Sequence, residues 1–327
     1  MKVVLSEPIG NGIARDIALL AQMHFRKILI DTDPGIDDAV AILFALRSPR
    51  FRPLGVTTVA GNIGIRTTTR NAGRILALAG RTDVPVVAGS ASPLVRAGFD
   101  TVDIHGADGL GGVAFPEPLA SASGGAVAWI AEQLETNEPN SIDILALGPL
   151  TNIALLARDH PLAARRIGRI IAMGGAVREP GNIGPHSEFN LFADPEAAKI
   201  VFQANLPLTL IPLDVTRRVR ASRETTSRLA GSANPAARAC SALIDAYFHS
   251  SAGSESRPLH DPCVMLYALA PQLFDVERLA LTIDTGSSRD AGTLAVSKSG
   301  TPIDVALGVD GTAALNLLVR GLLGSSI

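Results

Sequence analysis

An α/β fold built on a mainly parallel, open sheet flanked by helices is predicted by three features of this 327-residue sequence. Apolar runs of strand length alternate with segments of helical period, the pattern of successive βα units. The first of these runs has a continuously apolar centre, Ile28-Leu29-Ile30, as suits a strand buried on both faces. Polar and glycine-bearing residues recur where the runs end, at the edge where open α/β sheets bind ligands. With 47% hydrophobic and 18% charged residues, the chain can bury a large core.

In chain order, residues 27–31 read as a buried strand. Ile36, Val40, Leu43, Phe44 and Leu46 then follow helical spacing, with Pro34 suited to the helix entrance. A second strand over 54–59 ends at Ala60-Gly61-Asn62, and a helix follows over 67–79. Further strands are predicted over 84–87, 142–147, 169–173 and 208–213, with helices over 126–134, 152–157 and 195–202. Residues 215–260 are polar and rich in Arg and Ser, with a helix over 236–248 and a loop through 253–258, so they read as a helical insertion or lid. After a helix over 264–270, β-like runs at 279–283 and 303–309 precede a final helix over 312–323. One domain over 27–327 is expected, behind an N-terminal extension (1–26) of unknown role; Met23, just ahead of the first strand, is an alternative start.

A formal charge of −2 with scattered Lys and Arg gives no footprint for nucleic acid or an anionic membrane, so a small-molecule partner is expected. No run approaches the roughly 18 apolar residues of a membrane span. Ser6, Glu7 and Pro8 interrupt the first apolar stretch, so export is not indicated. Two cysteines, Cys240 and Cys263, suit core packing in a reducing cytoplasm.

Chemistry concentrates in three places. Asp31, Asp33, Asp37 and Asp38 fall within eight residues directly after the apolar run Ile28-Leu29-Ile30. Two like charges roughly 4 Å apart cost on the order of 4 kcal/mol at an effective dielectric of about 20, so a fold that gathers them must protonate some or neutralise them with a cation. Capping of a helix entrance accounts for one aspartate, but not for Asp33, Asp37 and Asp38 together; Asp31 could simply brace its neighbours. His260-Asp261-Pro262 precedes a helix, with Asp261 either an N-cap or a second source of carboxylate oxygen. An all-oxygen donor set suits calcium or magnesium. The stretch from Gly181 to Asn190, following Met173-Gly174-Gly175, offers Glu188 and Asn190 as polyol partners or is a solvated glycine-rich loop. Gly61-Asn62 is either a turn or a contributor from the end of the second strand.

Asp31-Thr32-Asp33-Pro34-Gly35-Ile36-Asp37-Asp38, Gly61-Asn62, Gly148-Pro149-Leu150-Thr151-Asn152, Met173-Gly174-Gly175, Glu188-Phe189-Asn190 and His260-Asp261-Pro262, in this order, resemble the motifs of the nucleoside hydrolase family. The resemblance runs from about Lys27 to the C-terminus. It implies a Rossmann-like α/β core and calcium-dependent hydrolysis of the N-glycosidic bond of ribonucleosides. By the same resemblance Asp33, Asp38, Asp261 and the Leu147 carbonyl would hold the calcium ion, although many members carry Thr at the position of Leu147. Asp37, Asn190 and Asp261 would hold the ribose diol, Asn182 and Glu188 its 3′ and 5′ side, and Met173 would pack on the sugar, beside Phe189. Asn62 would orient the attacking water and Asp33 would act as general base. His260 resembles the family's proton donor to the leaving base, and His105 a second pocket histidine.

Purine-specific members stack the base between tryptophans. The single tryptophan, Trp129, lies in a helix away from these motifs, which favours a pyrimidine or broad inosine-uridine type. Tyr247, Phe248 and His249 of the lid could face the base. A homotetramer or homodimer is implied. Two rivals are a non-catalytic nucleoside or pentose sensor, and a haloacid dehalogenase-like phosphatase suggested by Asp31-Thr32-Asp33; the latter motif continues with Thr or Val where this chain has Gly35.

Overall fold

The computed structural model describes residues 25–99, 101–249, 256–287 and 289–324, with the side chains of Val102 and His249 left aside. Most of the expected N-terminal extension, Met23 included, lies outside the described residues. The first strand, β1 (Arg26–Thr32), runs into helix α1 (Ile36–Arg47), then β2 (Phe51–Thr58), α2 (Ile65–Leu78), β3 (Val86–Ala88), the short α3 (Val102–His105) and β4 (Ser123–Gly124). Next come α4 (Ala126–Thr136), β5 (Ile142–Ala146), α5 (Thr151–Asp159), α6 (Pro161–Ala164), β6 (Arg169–Met173), α7 (Phe189–Ala193), α8 (Pro195–Gln203) and β7 (Leu208–Ile211). The chain continues through α9 (Leu213–Thr216), β8 (Arg220–Ser222), α10 (Arg223–Ala230), α11 (Pro235–His249), β9 (Ser256–Pro258) and α12 (Pro262–Leu269). It closes with β10 (Phe274–Ile283), β11 (Leu294–Val296), β12 (Thr301–Val309) and α13 (Gly311–Leu323).

Ten strands form one sheet in the order β11-β10-β12-β7-β6-β5-β1-β2-β3-β4. From β12 to β4 every pairing is parallel, and β10 adds an antiparallel edge to β12 and β11. Helices cover both faces, so the core is divided by the sheet. One half gathers α1, α11, α12 and α13, including Phe44, Leu243, Cys240 and Cys263. The other gathers α4, α5 and α8, including Ile130, Ile153 and Val201. Strand order reverses between β1 and β5, and such a switch point opens a crevice outside the strands' C-terminal ends. Among the described residues no helix is long and apolar enough to cross a membrane.

Several sequence expectations shift by identifiable causes. The strand expected over 84–87 is instead Val86–Ala88; Pro85 lacks an N–H and contributes only its carbonyl, which accepts from Val56 N at 2.9 Å. The strand expected to reach Leu213 ends at Ile211, because Pro212 caps α9. Helix α1 starts at Ile36 with Gly35 as N-cap, so Pro34 precedes the helix. Glu188-Phe189-Asn190 is not a solvated loop but the start of α7, with Glu188 as its N-cap. Within the expected loop, residues 256–258 pair with β8 as antiparallel β9, while 250–255 lie outside the described residues. The expected lid is a seated layer: α11 buries Ala237, Cys240, Leu243, Ile244 and Phe248 in the same core as α1.

Candidate active site

At the switch point, the ends of β1, β2, β5 and β6 and the first turns of α1 and α12 converge. Asp33 follows β1, and Asp37 and Asp38 occupy the first turn of α1. All three are buried, as is Asp261 at the N-cap of α12. Asp261 makes no side-chain cap bond, so helix capping does not account for its burial. Asp37, Asp38 and Asp261 present oxygens that all lie within 4.8 Å of one another.

Asp33 stands just outside that trio. Its Oδ2 accepts from the backbone N of Asn62 at 2.6 Å, while its Oδ1 is buried without a hydrogen-bond partner. The carboxylate lies between Gly61 and Gly148, and a Cβ at either glycine would collide with it. Asp38 is fixed on several sides. Its Oδ1 accepts from Thr32 Oγ1 at 2.5 Å, and its Oδ2 accepts from Gly35 N at 2.9 Å and Asn62 Nδ2 at 3.1 Å. Asn62 thus ties Asp33 to Asp38. Beneath them Asp31 Oδ1 accepts from Thr57 Oγ1 at 2.5 Å and Asn152 Nδ2 at 2.8 Å.

Electrostatically this cluster is unbalanced. Burial, then the neighbouring charges of Asp38 and Asp37, raises the Asp33 carboxyl well above the usual range. Asp261 is raised well above it too, by burial and then by Asp37, Asp38 and Asp33; burial and Asp37 raise Asp38. A buried aspartate at the opposite edge offers the comparison. Asp143, near the start of β5, is paired with Arg26 and Arg169, whereas no ion pair among the described residues involves Asp33, Asp37, Asp38 or Asp261. The all-oxygen donor set, the orphaned Asp33 oxygen and the missing basic partner together fit a hard divalent cation.

Above the carboxylates opens a cavity of about 170 Å³. Asp37, Asn62, His105, Leu147, Met173, Asn182, Glu188, Phe189, Asn190, Tyr247, His260 and Asp261 line it. Of the metal and ribose ligands expected from sequence, Asp33 and Asp38 are absent from the wall, being buried below it. Thr101, Ile104 and Ile183 complete the lining; they sit in short segments with no motif or period to flag them. Of the three aromatic candidates on α11, Tyr247 lines the cavity, Phe248 is buried in the core, and the His249 side chain lies outside the described set. Trp129 packs at Gly55 of β2, away from the cavity.

Hydrogen bonds fix the wall. Glu188 accepts from the backbone N–H groups of Gly175, Asn190 and Leu191; burial lifts its pKa to about 6. Asn182 Oδ1 accepts from Phe189 N at 2.9 Å. His260 Nδ1 is 2.8 Å from Thr216 Oγ1 on α9, and burial lowers the imidazole's pKa. Thr216 carries no sequence signal for this role, because only the fold brings α9 beside α12. The Leu147 carbonyl accepts from Asn190 Nδ2 at 2.6 Å. That bond uses one lone pair of the carbonyl oxygen and leaves the second for a cation.

Known proteins resemble this chain in sequence and in fold. The family model described as inosine-uridine preferring nucleoside hydrolase matches residues 28–316. A pyrimidine-specific ribonucleoside hydrolase RihA of Shewanella sp. (strain ANA-3) is 39% identical over 307 residues, 91% of this chain and 96% of its own. An uncharacterized Schizosaccharomyces pombe protein is 42% identical over 270 residues, 81% of this chain and 87% of its own. Among solved structures, a plant nucleoside hydrolase superposes with a TM-score of 0.82 at 31% identity, covering 91% of this chain and 99% of its own. A purine-preferring ribonucleoside hydrolase from Gardnerella vaginalis gives 0.84 at 29% identity, with 91% and 98% covered.

Proposed function

The chain belongs to the inosine-uridine preferring nucleoside hydrolase family, enzymes that hydrolyse the N-glycosidic bond of ribonucleosides, and from that premise we propose a calcium-dependent enzyme of pyrimidine or broad inosine-uridine preference. The observation that carries the metal part is the set of four buried carboxylates with no ion pair among the described residues. Asp33, Asp38, Asp261 and the Leu147 carbonyl would hold the ion. Bound there, calcium would acidify a water and engage the 2′- and 3′-hydroxyls of the ribose.

The protein's own groups do the rest. Asp33, with one oxygen held by Asn62 N and the other unpartnered, takes the proton of the attacking water as general base. Asp37, Asn190 and Asp261 hold the diol. Asn182 and Glu188 face the 3′ and 5′ side, Glu188 chiefly by fixing α7, since its oxygens already serve three backbone amides. Met173 and Phe189 pack on the sugar. Positive charge developing on the ribose is stabilised by the carboxylates beneath it. His260, oriented by Thr216, meets the departing base, with His105 and Tyr247 alongside.

Two observations support the base preference: no tryptophan lines the cavity, and the RihA relatives are named as pyrimidine-specific. The homodimer or homotetramer and the cytoplasmic location rest on the family resemblance and on cysteine usage. Ribose release from uridine, cytidine and inosine, assayed with calcium and with chelator, tests the reading. Release that chelation stops and calcium restores, fastest with a pyrimidine nucleoside, is the expected result. Tight nucleoside binding without release would favour a sensor, and far higher efficiency on a purine nucleoside would overturn the base preference.

A further inference from the structure

Helix α1 carries Asp37 and Asp38 in its first turn, yet its N-cap is Gly35, which has no side chain to cap it. The leading N–H groups of a helix have no partner within the helix itself. Here Asp38 Oδ2 accepts from Gly35 N, and the N–H of Ile36 donates to Nδ1 of His105, 3.1 Å away and 69 residues later in the chain. A backbone N–H can only donate, so Nδ1 is an unprotonated acceptor and the ring proton resides on Nε2. Gly35 makes the approach possible: a Cβ there would lie 2.6 Å from His105 Nδ1.

The segment bearing His105 is bound to the same loop at other points. Asn71 Nδ2 donates to Pro34 O at 3.2 Å and Asp108 O at 2.8 Å. Thr101 N donates to Asn62 O, and His105 N to Thr101 O. The mouth of the cavity and the turn that carries two of its carboxylates therefore share one hydrogen-bonded unit.

We propose that His105 is a positioning residue whose imidazole accepts from the first N–H of α1, a donor with no partner inside the helix, holding Asp37 and Asp38 in register for the cation and the ribose diol. This rests on the functional reading above and deepens it. His105 serves through its acceptor nitrogen toward Ile36, and only its Nε2–H remains to face the cavity.

Asparagine and alanine at position 105 separate this role from acid catalysis by the imidazole, because the Asn Oδ1 can stand where Nδ1 stands. Three quantities are measured: amide exchange of Ile36 by NMR, calcium affinity of the metal-stripped protein by titration calorimetry, and kcat and KM for uridine. His105→Ala should accelerate Ile36 exchange and weaken calcium binding, each by about tenfold, the order of effect of a lost helix cap. His105→Asn should stay within about twofold of the wild type on both. The proposal is overturned if Ile36 exchange is unchanged in His105→Ala. It is equally overturned if both variants keep calcium affinity and Ile36 protection but lose turnover alike, since the ring itself would then be acting. Should His105→Ala fail to fold, loss of Ile36 protection in His105→Asn overturns it. Failure of the wild type to bind calcium would refute the functional reading instead, and Ile36 exchange would still decide the cap.

Discussion

Asp33 and Asp261 are each buried, each held well above the usual carboxylate range, and each without an ion pair among the described residues. Residues placed so are kept for chemistry, because stability alone would favour apolar replacements. Asp33→Ala should lower kcat for uridine by about a thousandfold or more, with an unchanged circular dichroism spectrum; near-normal turnover would remove Asp33 from the base role. Glu188 makes a different prediction. Its carboxyl is lifted from 4.5 to about 6, chiefly by burial, so the folded state holds the proton more tightly than the unfolded chain. The stability contributed by this group is therefore complete below about pH 4.5 and lost as pH rises through about 6, a change on the order of 2 kcal/mol. In urea denaturation followed between pH 4 and 7, Glu188→Gln should lack that part of the slope. The residue types at these positions were legible in the sequence. That Glu188 serves three backbone amides was not, since glycine-rich surroundings conceal a five-residue helix.

At the scale of elements, α11 shows how a helix can be predicted correctly and its position missed. Its apolar period was visible across residues 236–248, but the polar, arginine-rich flanks gave it the look of a detachable lid. In the structure Leu243 is fully buried among side chains shared with α1, while Tyr247 reaches the cavity from the same helix. Leu243→Ala should cost about 2–5 kcal/mol in chemical denaturation, as for other buried leucines. A loss below about 1 kcal/mol would mean that α11 is not seated in the core. Helix α9 is the converse: four residues with no pattern of their own position Thr216 against His260 and bind the chain ahead of the cavity through Asp214, which accepts from Val177 N and Arg178 N.

Across the whole molecule, buried charge is handled in opposite ways at the two edges of the parallel sheet. Asp143 near the start of β5 has two arginines, and among the described residues Asp33, Asp37, Asp38 and Asp261 at the C-terminal edge have none. Binding of a cation at the C-terminal edge should therefore stabilise the fold by linkage. Calcium at about a hundredfold excess over its Kd contributes roughly 2.7 kcal/mol, expected as a rise of about 5 °C in the melting temperature of the metal-stripped protein. Absence of any rise with calcium would count against the assigned site. The sequence by itself determined the βα order and the burial of the centre of the first strand, because local period and composition report what each segment buries, and its resemblance to the nucleoside hydrolase family named most of the side chains on the cavity wall. Tertiary structure alone decided that Asp37, Asp38 and Asp261 bring their oxygens together with Asp33 tied to Asp38 through Asn62, that Asn190 donates to the Leu147 carbonyl, and that His105 accepts from the first N–H of α1. These are contacts between segments far apart in the chain, and they exist because strand order reverses between β1 and β5, which no local pattern encodes.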